Sequence, residues 1–164
     1  MMTASRQRTA FTAKRRGAPW AACAACAWSV LFAVVSFYWA AGGTGGAHTI
    51  AAKPEKLASP AALWLIGVAK LLPVVLALAL ARPWRRPLPG RLLWAAAWVS
   101  GVLLLLYGGA NLVDHALMVA GVIATPEILG ATAARWHLFL WDPWWVLGGV
   151  LFIAAARRSA RHRE

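Results

Sequence analysis

The chain of 164 residues is 61% hydrophobic and only 13% charged. Soluble domains carry about 25% charged residues, so this composition excludes an ordinary water-soluble protein and indicates a chain embedded in lipid. The net charge of +12 does not predict nucleic-acid binding, because the basic residues form short clusters between long apolar runs and do not mark one basic face.

Four apolar runs predict an all-α fold, a four-transmembrane-helix bundle that occupies residues 19–157. A hydrocarbon core about 30 Å thick needs about 20 apolar residues in a helix. The predicted spans cover residues 20–41, 61–81, 92–123 and 136–156. Residues 1–18 and 158–164 are predicted to be basic cytoplasmic tails, the first of them disordered. Span one is expected to remain uncleaved, because its run is longer than the apolar core of a signal peptide.

The chain is expected in the plasma membrane, and the distribution of its basic residues predicts that both termini face the cytoplasm. The N-terminal segment, the connection between spans two and three, and the C-terminal tail hold most of the Lys and Arg residues. The other two connections hold only Lys53, Lys56 and Arg135. Cytoplasmic loops are the ones enriched in Lys and Arg. The same basic segments are expected to attract anionic lipids, at about 1 kcal/mol per basic residue.

Two proline motifs lie on the predicted outer side. Thr125-Pro126-Glu127 is typical of an N-cap, a first helical residue and an acid that matches the helix dipole, so a short interfacial helix is expected to start there. Asp142-Pro143 predicts a kink in span four. The alternative, in which Asp142 caps a shorter helix, is less favoured because that helix would extend only about 21 Å.

Polar groups inside apolar spans are costly and usually have partners. Lys70 lies near the middle of span two, followed by Pro73; either it snorkels or forms a structural ion pair, or it belongs to a proton or substrate relay. Asn111, Asp114 and His115 near the outer end of span three are spaced three and four apart, which predicts one polar stripe. We therefore expect an ion pair between Lys70 and Asp114 that orders spans two and three.

Histidines and acids of the predicted outer side lack the spacing of a metal-binding motif, so neither a metal site nor a cofactor is predicted. The side chains considered are His48, His115, His137, Asp114, Glu127 and Asp142. Cys23 and Cys26 have the C-x-x-C spacing of a thiol redox motif, but they lie beside alanines in an apolar run. Close helix packing is the preferred interpretation of these small residues.

Two short motifs resemble signatures of a known family. The segment FYWAAGG at residues 37–43 resembles an aromatic-Tyr-Trp-Ala-x-Gly-Gly signature, and WDPWWVLGG at residues 141–149 resembles a second one. The family is catalogued as domain of unknown function 3995, a group of small four-span bacterial membrane proteins, some of which carry a histidine where Ser36 stands. The resemblance implies a fold and a bacterial source but no activity. The candidate outer-face cluster is Trp39, Gly42, Gly43, His137, Asp142 and Pro143.

Three functions remain open at this point. The preferred one is a non-enzymatic membrane protein, structural or regulatory, that acts through helix or lipid contacts. The second is a small transporter or transporter subunit, which would require a homo-oligomer because one short chain encloses little volume. Its polar path would run through Lys70, Asn111, Asp114 and His115. The third is a membrane enzyme with an outer-face site, which convergence of His48, His115 and His137 would favour.

Overall fold

The computed structural model describes residues 20–54, 59–81 and 89–161 of the chain. Four segments of these residues are helical, long and apolar enough to cross a membrane, which confirms the predicted all-α membrane fold. The helices are α1 (Trp20–Ala40), α2 (Pro60–Ala69), α3 (Leu71–Ala81), α4 (Gly90–Val119), α5 (Gly130–Trp136) and α6 (Asp142–Arg161). A 3-10 turn at Ala47–Thr49 follows α1, and a π-helical segment at His137–Trp141 joins α5 to α6.

Parts of the predicted tails and connections lie outside the described residues. These parts are residues 1–18, the cluster of Arg82, Arg85 and Arg86, Lys56, and residues 162–164. Helix α6 continues to Arg161, past the predicted end of span four, so the predicted C-terminal tail begins as helix.

Span two is divided at Lys70, and Pro73 explains the position of the break. A proline cannot donate a hydrogen bond to the carbonyl four residues earlier, and its ring clashes with that carbonyl. For Pro73 that carbonyl belongs to Ala69, the last residue of α2. Lys70 separates α2 from α3, and its backbone N–H still donates to Ile66 (3.0 Å). The break in span two therefore lies at Lys70, the charged residue that the sequence places inside this span.

Span four is longer than predicted, and the separate interfacial helix expected at Thr125 is absent from the described residues. The carbonyl of Pro126 accepts hydrogen bonds from the N–H groups of Leu129 and Gly130, which closes a single turn. Gly130 then adopts a φ of +73°, and this left-handed conformation separates the turn from α5. The helical part starts at Gly130 and leads directly into span four.

Helices α4 and α6 pack most closely in the bundle, because glycines remove side chains from their contact. A Cβ atom at Gly149 would lie 2.8 Å from the carbonyl oxygen of Gly101, and one at Gly101 would lie 3.0 Å from that of Gly149. A Cβ at Gly108 would lie 2.9 Å from the backbone nitrogen of Val146. Small residues at membrane helix contacts allow such close backbone approach.

Helix α1 covers one side of this pair through aromatic packing. The indole N–H of Trp28 donates to the carbonyl of Trp144 (2.9 Å), and the Trp28 ring fills the space that a side chain at Gly148 would need. Trp145 packs edge-on against Phe32, with ring centroids 4.6 Å apart. Trp144 and Trp145 therefore pack against the core of the bundle.

Two connections meet at one end of the bundle, which we call the loop end: residues 41–54 after α1 and residues 120–129 after α4. The backbone N–H of Ala52 donates to the carbonyl oxygens of Leu129 (2.8 Å) and Ile128 (3.0 Å). This end is the predicted outer side. The contact matters for function because the polar side chains that the structure brings together lie beneath it.

Candidate functional site

The centre of the candidate site is a buried contact between His115 of α4 and Asp142 of α6. The imidazole Nδ1–H of His115 donates to Oδ2 of Asp142 at 2.7 Å. Asp142 is 1% exposed and His115 is 7% exposed. A carboxylate buried to this extent requires a positively charged or hydrogen-bonding partner, because burial of an unpaired charge is very costly.

The helix contact that positions this pair follows a seven-residue spacing on both helices. Residues seven apart lie close to the same face of a helix, because seven residues make almost two turns. On α4 this face carries Gly101, Gly108 and then His115, and on α6 it carries Asp142 and Gly149. The glycines bring the two backbones together, and the polar residues lie at the loop-end side of the same contact.

The π-helical segment brings His137 to the same place. In a regular α-helix, residues five apart point about 140° away from each other. The backbone N–H of Asp142 instead donates to the carbonyl of His137, five residues earlier, so the wider turn places both residues on one side. His137 Nδ1 lies 3.9 Å from Oδ1 of Asp142. Pro143 favours this wide turn, because it cannot donate the α-helical bond to Phe139.

Two further contacts fix the ring of His137. Its Nε2–H donates to the carbonyl oxygen of Ile50 in the loop end at 3.1 Å. Its ring also stacks on that of His115, with centroids 4.7 Å apart and planes inclined by 24°. A carbonyl can only accept, so this hydrogen bond requires a proton on Nε2, and Nδ1 is the ring nitrogen that faces Asp142.

Connection 41–54 folds over the site through side-chain hydrogen bonds. The indole N–H of Trp141 donates to the hydroxyl of Thr49 (3.1 Å), which donates to the carbonyl of Gly46 (2.6 Å). The indole N–H of Trp39 donates to the carbonyl of Gly45 (2.9 Å), and the Trp39 ring lies edge-on to that of Trp141.

The glycines of the FYWAAGG motif shape this connection. Gly42 has a φ of +91°, which a residue with a side chain rarely adopts. Gly43 lies directly against the ring of Tyr38, where a Cβ atom would clash. The candidate outer-face cluster thus divides in two. Gly42 and Gly43 lie in the connection, which Trp39 of α1 holds by its hydrogen bond to Gly45. His137 and Asp142 join the buried centre, next to Pro143.

The predicted polar stripe on α4 separates into different environments. Adjacent helical residues point about 100° apart, so Asp114 is exposed while its neighbour His115 is buried. The side-chain amide of Asn111 donates to the carbonyl of Tyr107 on its own helix (2.8 Å). Asn111, Asp114 and His115 therefore do not form a single polar stripe along one transport path.

The predicted ion pair between Lys70 and Asp114 is also absent from the described residues. The Lys70 ammonium donates to the Ser36 hydroxyl of α1 at 2.7 Å and lies 3.5 Å from the centre of the Phe32 ring. It is held between α1 and the aromatic side chains of the core, since Trp145 is the next ring, at 6.0 Å. Among the described residues, the acid with an ionic partner is Asp142, which contacts His115 of α4, and not Asp114.

Three potential ligand side chains converge in this centre. His115, His137 and Asp142 each offer a ligand atom, and these atoms lie within 4.8 Å of one another. Two ligands of one zinc ion lie at most about 4.4 Å apart, so the three side chains would close slightly around an ion. His48 is not among them and instead contacts the edge of Trp136. Glu127 is exposed in the connection after α4.

All three residues belong to the six outer-side histidines and acids considered for a metal site from the sequence, but their spacing along the chain does not single them out. His115 and Asp142 are 27 positions apart on different helices, and His137 reaches Asp142 only through the π-helical turn. The available signals were the seven-residue spacing of Gly101, Gly108 and His115, and the proline directly after Asp142.

A family model described as a protein of unknown function, DUF3995, matches residues 29–152. The chain belongs to the DUF3995 family. The matched range of this DUF3995 chain includes both resemblance motifs and all three residues of the buried centre. The chain matches no curated protein and no solved structure.

Proposed function

We propose that this protein is a membrane-embedded metal-binding protein that holds one divalent transition-metal ion between His115, His137 and Asp142. The observation that carries the proposal is the convergence of two imidazoles and one carboxylate within 4.8 Å in the interior of the bundle. Imidazole and carboxylate are the ligand types that suit Zn²⁺ and neighbouring first-row ions.

The surroundings of the ligands support a metal ion over an ordinary hydrogen-bond cluster. The Ile50 carbonyl fixes His137 as the tautomer whose Nδ1 is free to bind, the role that outer-shell partners play in metal sites. The Nδ1–Oδ1 separation of 3.9 Å is close to the roughly 3.3 Å between two tetrahedral zinc ligands. The side chain of His137 is 23% exposed, which gives an ion a way in beneath the loop end.

The number of protein ligands favours a working site over a purely structural one. Structural zinc sites are usually closed by four protein ligands, whereas catalytic sites use three and leave a position for water or substrate. Three ligands near the predicted outer side therefore support the third function considered above, a membrane enzyme with an outer-face site, with Asp142 in the place expected for His48. The polar path of the transporter hypothesis has less support, because Lys70, Asn111 and Asp114 have separate partners or environments.

Metal binding to the purified full-length chain tests the proposal. We expect the chelator-treated protein to bind one Zn²⁺ or Co²⁺ per chain in an isothermal titration. Asp142→Asn and His137→Ala should each weaken binding by at least about tenfold, because loss of even an outer-shell partner of a metal ion typically lowers its affinity by about that factor. His48→Ala is the matched control, since it removes an imidazole at the same end outside the cluster. Equal binding by Asp142→Asn and the unaltered chain would overturn the proposal.

We further propose that anionic lipids contact the opposite end of the bundle. Arg157 lies over the ring of Trp98, and Arg158 lies over that of Trp20, so both guanidinium groups are held beside indole rings near the end of α6. Arginine beside interfacial tryptophan is suited to phosphate headgroups.

A further inference from the structure

We propose that Lys70 binds the carboxylate of a long-chain fatty acid that enters the bundle from the lipid. This inference is independent of the metal site and rests on a charge that the described part of the chain does not neutralise. In hydrocarbon an ionised side chain is costly and is normally paired or solvated. The ion pairs of the described residues all involve Asp142, and none of the carboxylates of these residues lies within 4 Å of the Lys70 ammonium.

The protein contacts of the ammonium group do not use all of its hydrogen-bonding capacity. A lysine carries three N–H donors. One is accepted by the Ser36 hydroxyl, which itself donates to the Phe32 carbonyl (3.2 Å). The Phe32 ring adds a cation–π contact, worth at most a few kcal/mol. A hydrogen-bond acceptor from a bound molecule could use the remaining N–H donors of the ammonium group.

The depth of Lys70 excludes the acids of a second copy of the chain as partners. Lys70 is ten residues from Pro60 and eleven from Ala81, so it lies about 15 Å from either end of span two. The chain has five acidic residues, and Asp142 is buried in its own cluster. Asp114 lies only about 8 Å from the end of a helix about 45 Å long, at the edge of the hydrocarbon core. The remaining acids are Glu55, Glu127 and Glu164, which lie outside the spans.

The position of α2 gives a ligand access from the membrane. Helix α2 packs mainly against α1, where Gly67 lies against the Phe37 ring. Ile66, one turn before Lys70 on the same side of the helix, is 44% exposed, so an apolar chain in the lipid can contact apolar surface on the Lys70 side. A long-chain carboxylate combines one negative charge with such an apolar chain. A phospholipid would also bring its larger polar headgroup to the middle of the bilayer.

Binding of carboxyl-labelled oleate tests this proposal in the full chain reconstituted in zwitterionic phosphatidylcholine nanodiscs. We expect a saturable bound ¹³C resonance at the chemical shift of an ionised carboxylate. Lys70→Met should weaken binding at least about tenfold, and Lys70→Arg should retain it. Lys53→Met is the matched control, because it removes a lysine in the connection before α2. Ser36→Ala should weaken binding severalfold, since it removes the hydroxyl that positions the ammonium.

Several outcomes would overturn the proposal. Unchanged oleate binding by a folded Lys70→Met protein would remove Lys70 from the site. Equal binding of methyl oleate would show that only the apolar chain is recognised. Displacement of oleate by equimolar acetate would assign the site to small anions, and displacement by added phosphatidylglycerol would assign it to phospholipid. Circular dichroism and gel filtration of each variant establish that it is folded.

Discussion

At the scale of single residues, the buried centre depends on the coupling between His115 and Asp142. Burial leaves the carboxylate without water, so the contact at 2.7 Å supplies most of its compensation when metal is absent. This hydrogen bond belongs to the metal-free state, because an ion held by both His115 and Asp142 would replace the proton between them.

We predict that His115→Gln and Asp142→Asn are not additive in the metal-free protein. Groups in one buried hydrogen-bond network typically couple by about 0.5–3 kcal/mol. The free energy of unfolding, measured by denaturant titration in detergent with a chelator present, should therefore fall less in the double variant than the two single losses together predict. Strictly additive losses would mean that the contact does not stabilise the fold.

At the scale of elements, the fold depends on the glycine contact between α4 and α6. Gly108 has no room for a methyl group, because a Cβ atom would lie 2.8 Å from that of Trp145 and 2.9 Å from the Val146 nitrogen. Its neighbour Gly109 has nothing within 4 Å of the same position. The two glycines occupy the same helix and differ only in the face on which they lie.

We predict that Gly108→Ala destabilises the bundle and that Gly109→Ala does not. Overpacking of a close contact typically costs about 1–3 kcal/mol, whereas alanine in an open helical position is favoured over glycine by about 1 kcal/mol. Thermal unfolding in detergent would measure both variants. The displaced α6 should also carry Asp142 away from His115, so Gly108→Ala should weaken metal binding. Identical melting of the two variants would contradict this packing.

Sequence reasoning predicted the elements better than the contacts between them. Length and hydropathy sufficed for four spans, and prolines marked both irregularities, at Lys70 and at Asp142. The partner of Lys70 was predicted wrongly, because charge complementarity alone does not fix the helix face on which Asp114 lies. The buried centre depends on helix rotation and on a π-helical turn, and neither property is local to the residues that form it.

At the scale of the whole molecule, we expect the loop end to lie outside the cytoplasm. This orientation is a prediction from the distribution of Lys and Arg. It would place the His137 side of the buried centre toward the outer aqueous phase and Arg157 toward anionic lipids of the inner leaflet.

We predict that single cysteines added to a variant lacking Cys23 and Cys26 react according to this orientation. A cysteine replacing Thr44 in the loop end should react with an impermeant maleimide on intact cells, whereas one replacing Ser159 near the end of α6 should react only after the cells are opened. The opposite labelling pattern would show that the protein has the reverse orientation in the membrane.

The metal centre is tested most directly by the X-ray absorption spectrum of the zinc-loaded chain at the zinc edge. The account predicts nitrogen and oxygen ligands at about 2.0–2.1 Å with the scattering pattern of two imidazoles. That pattern should decrease to one imidazole in His137→Ala and remain unchanged in His48→Ala. Sulfur scattering at about 2.3 Å, which would come from Cys23 and Cys26, or a zinc ion with no imidazole ligand, would contradict the account.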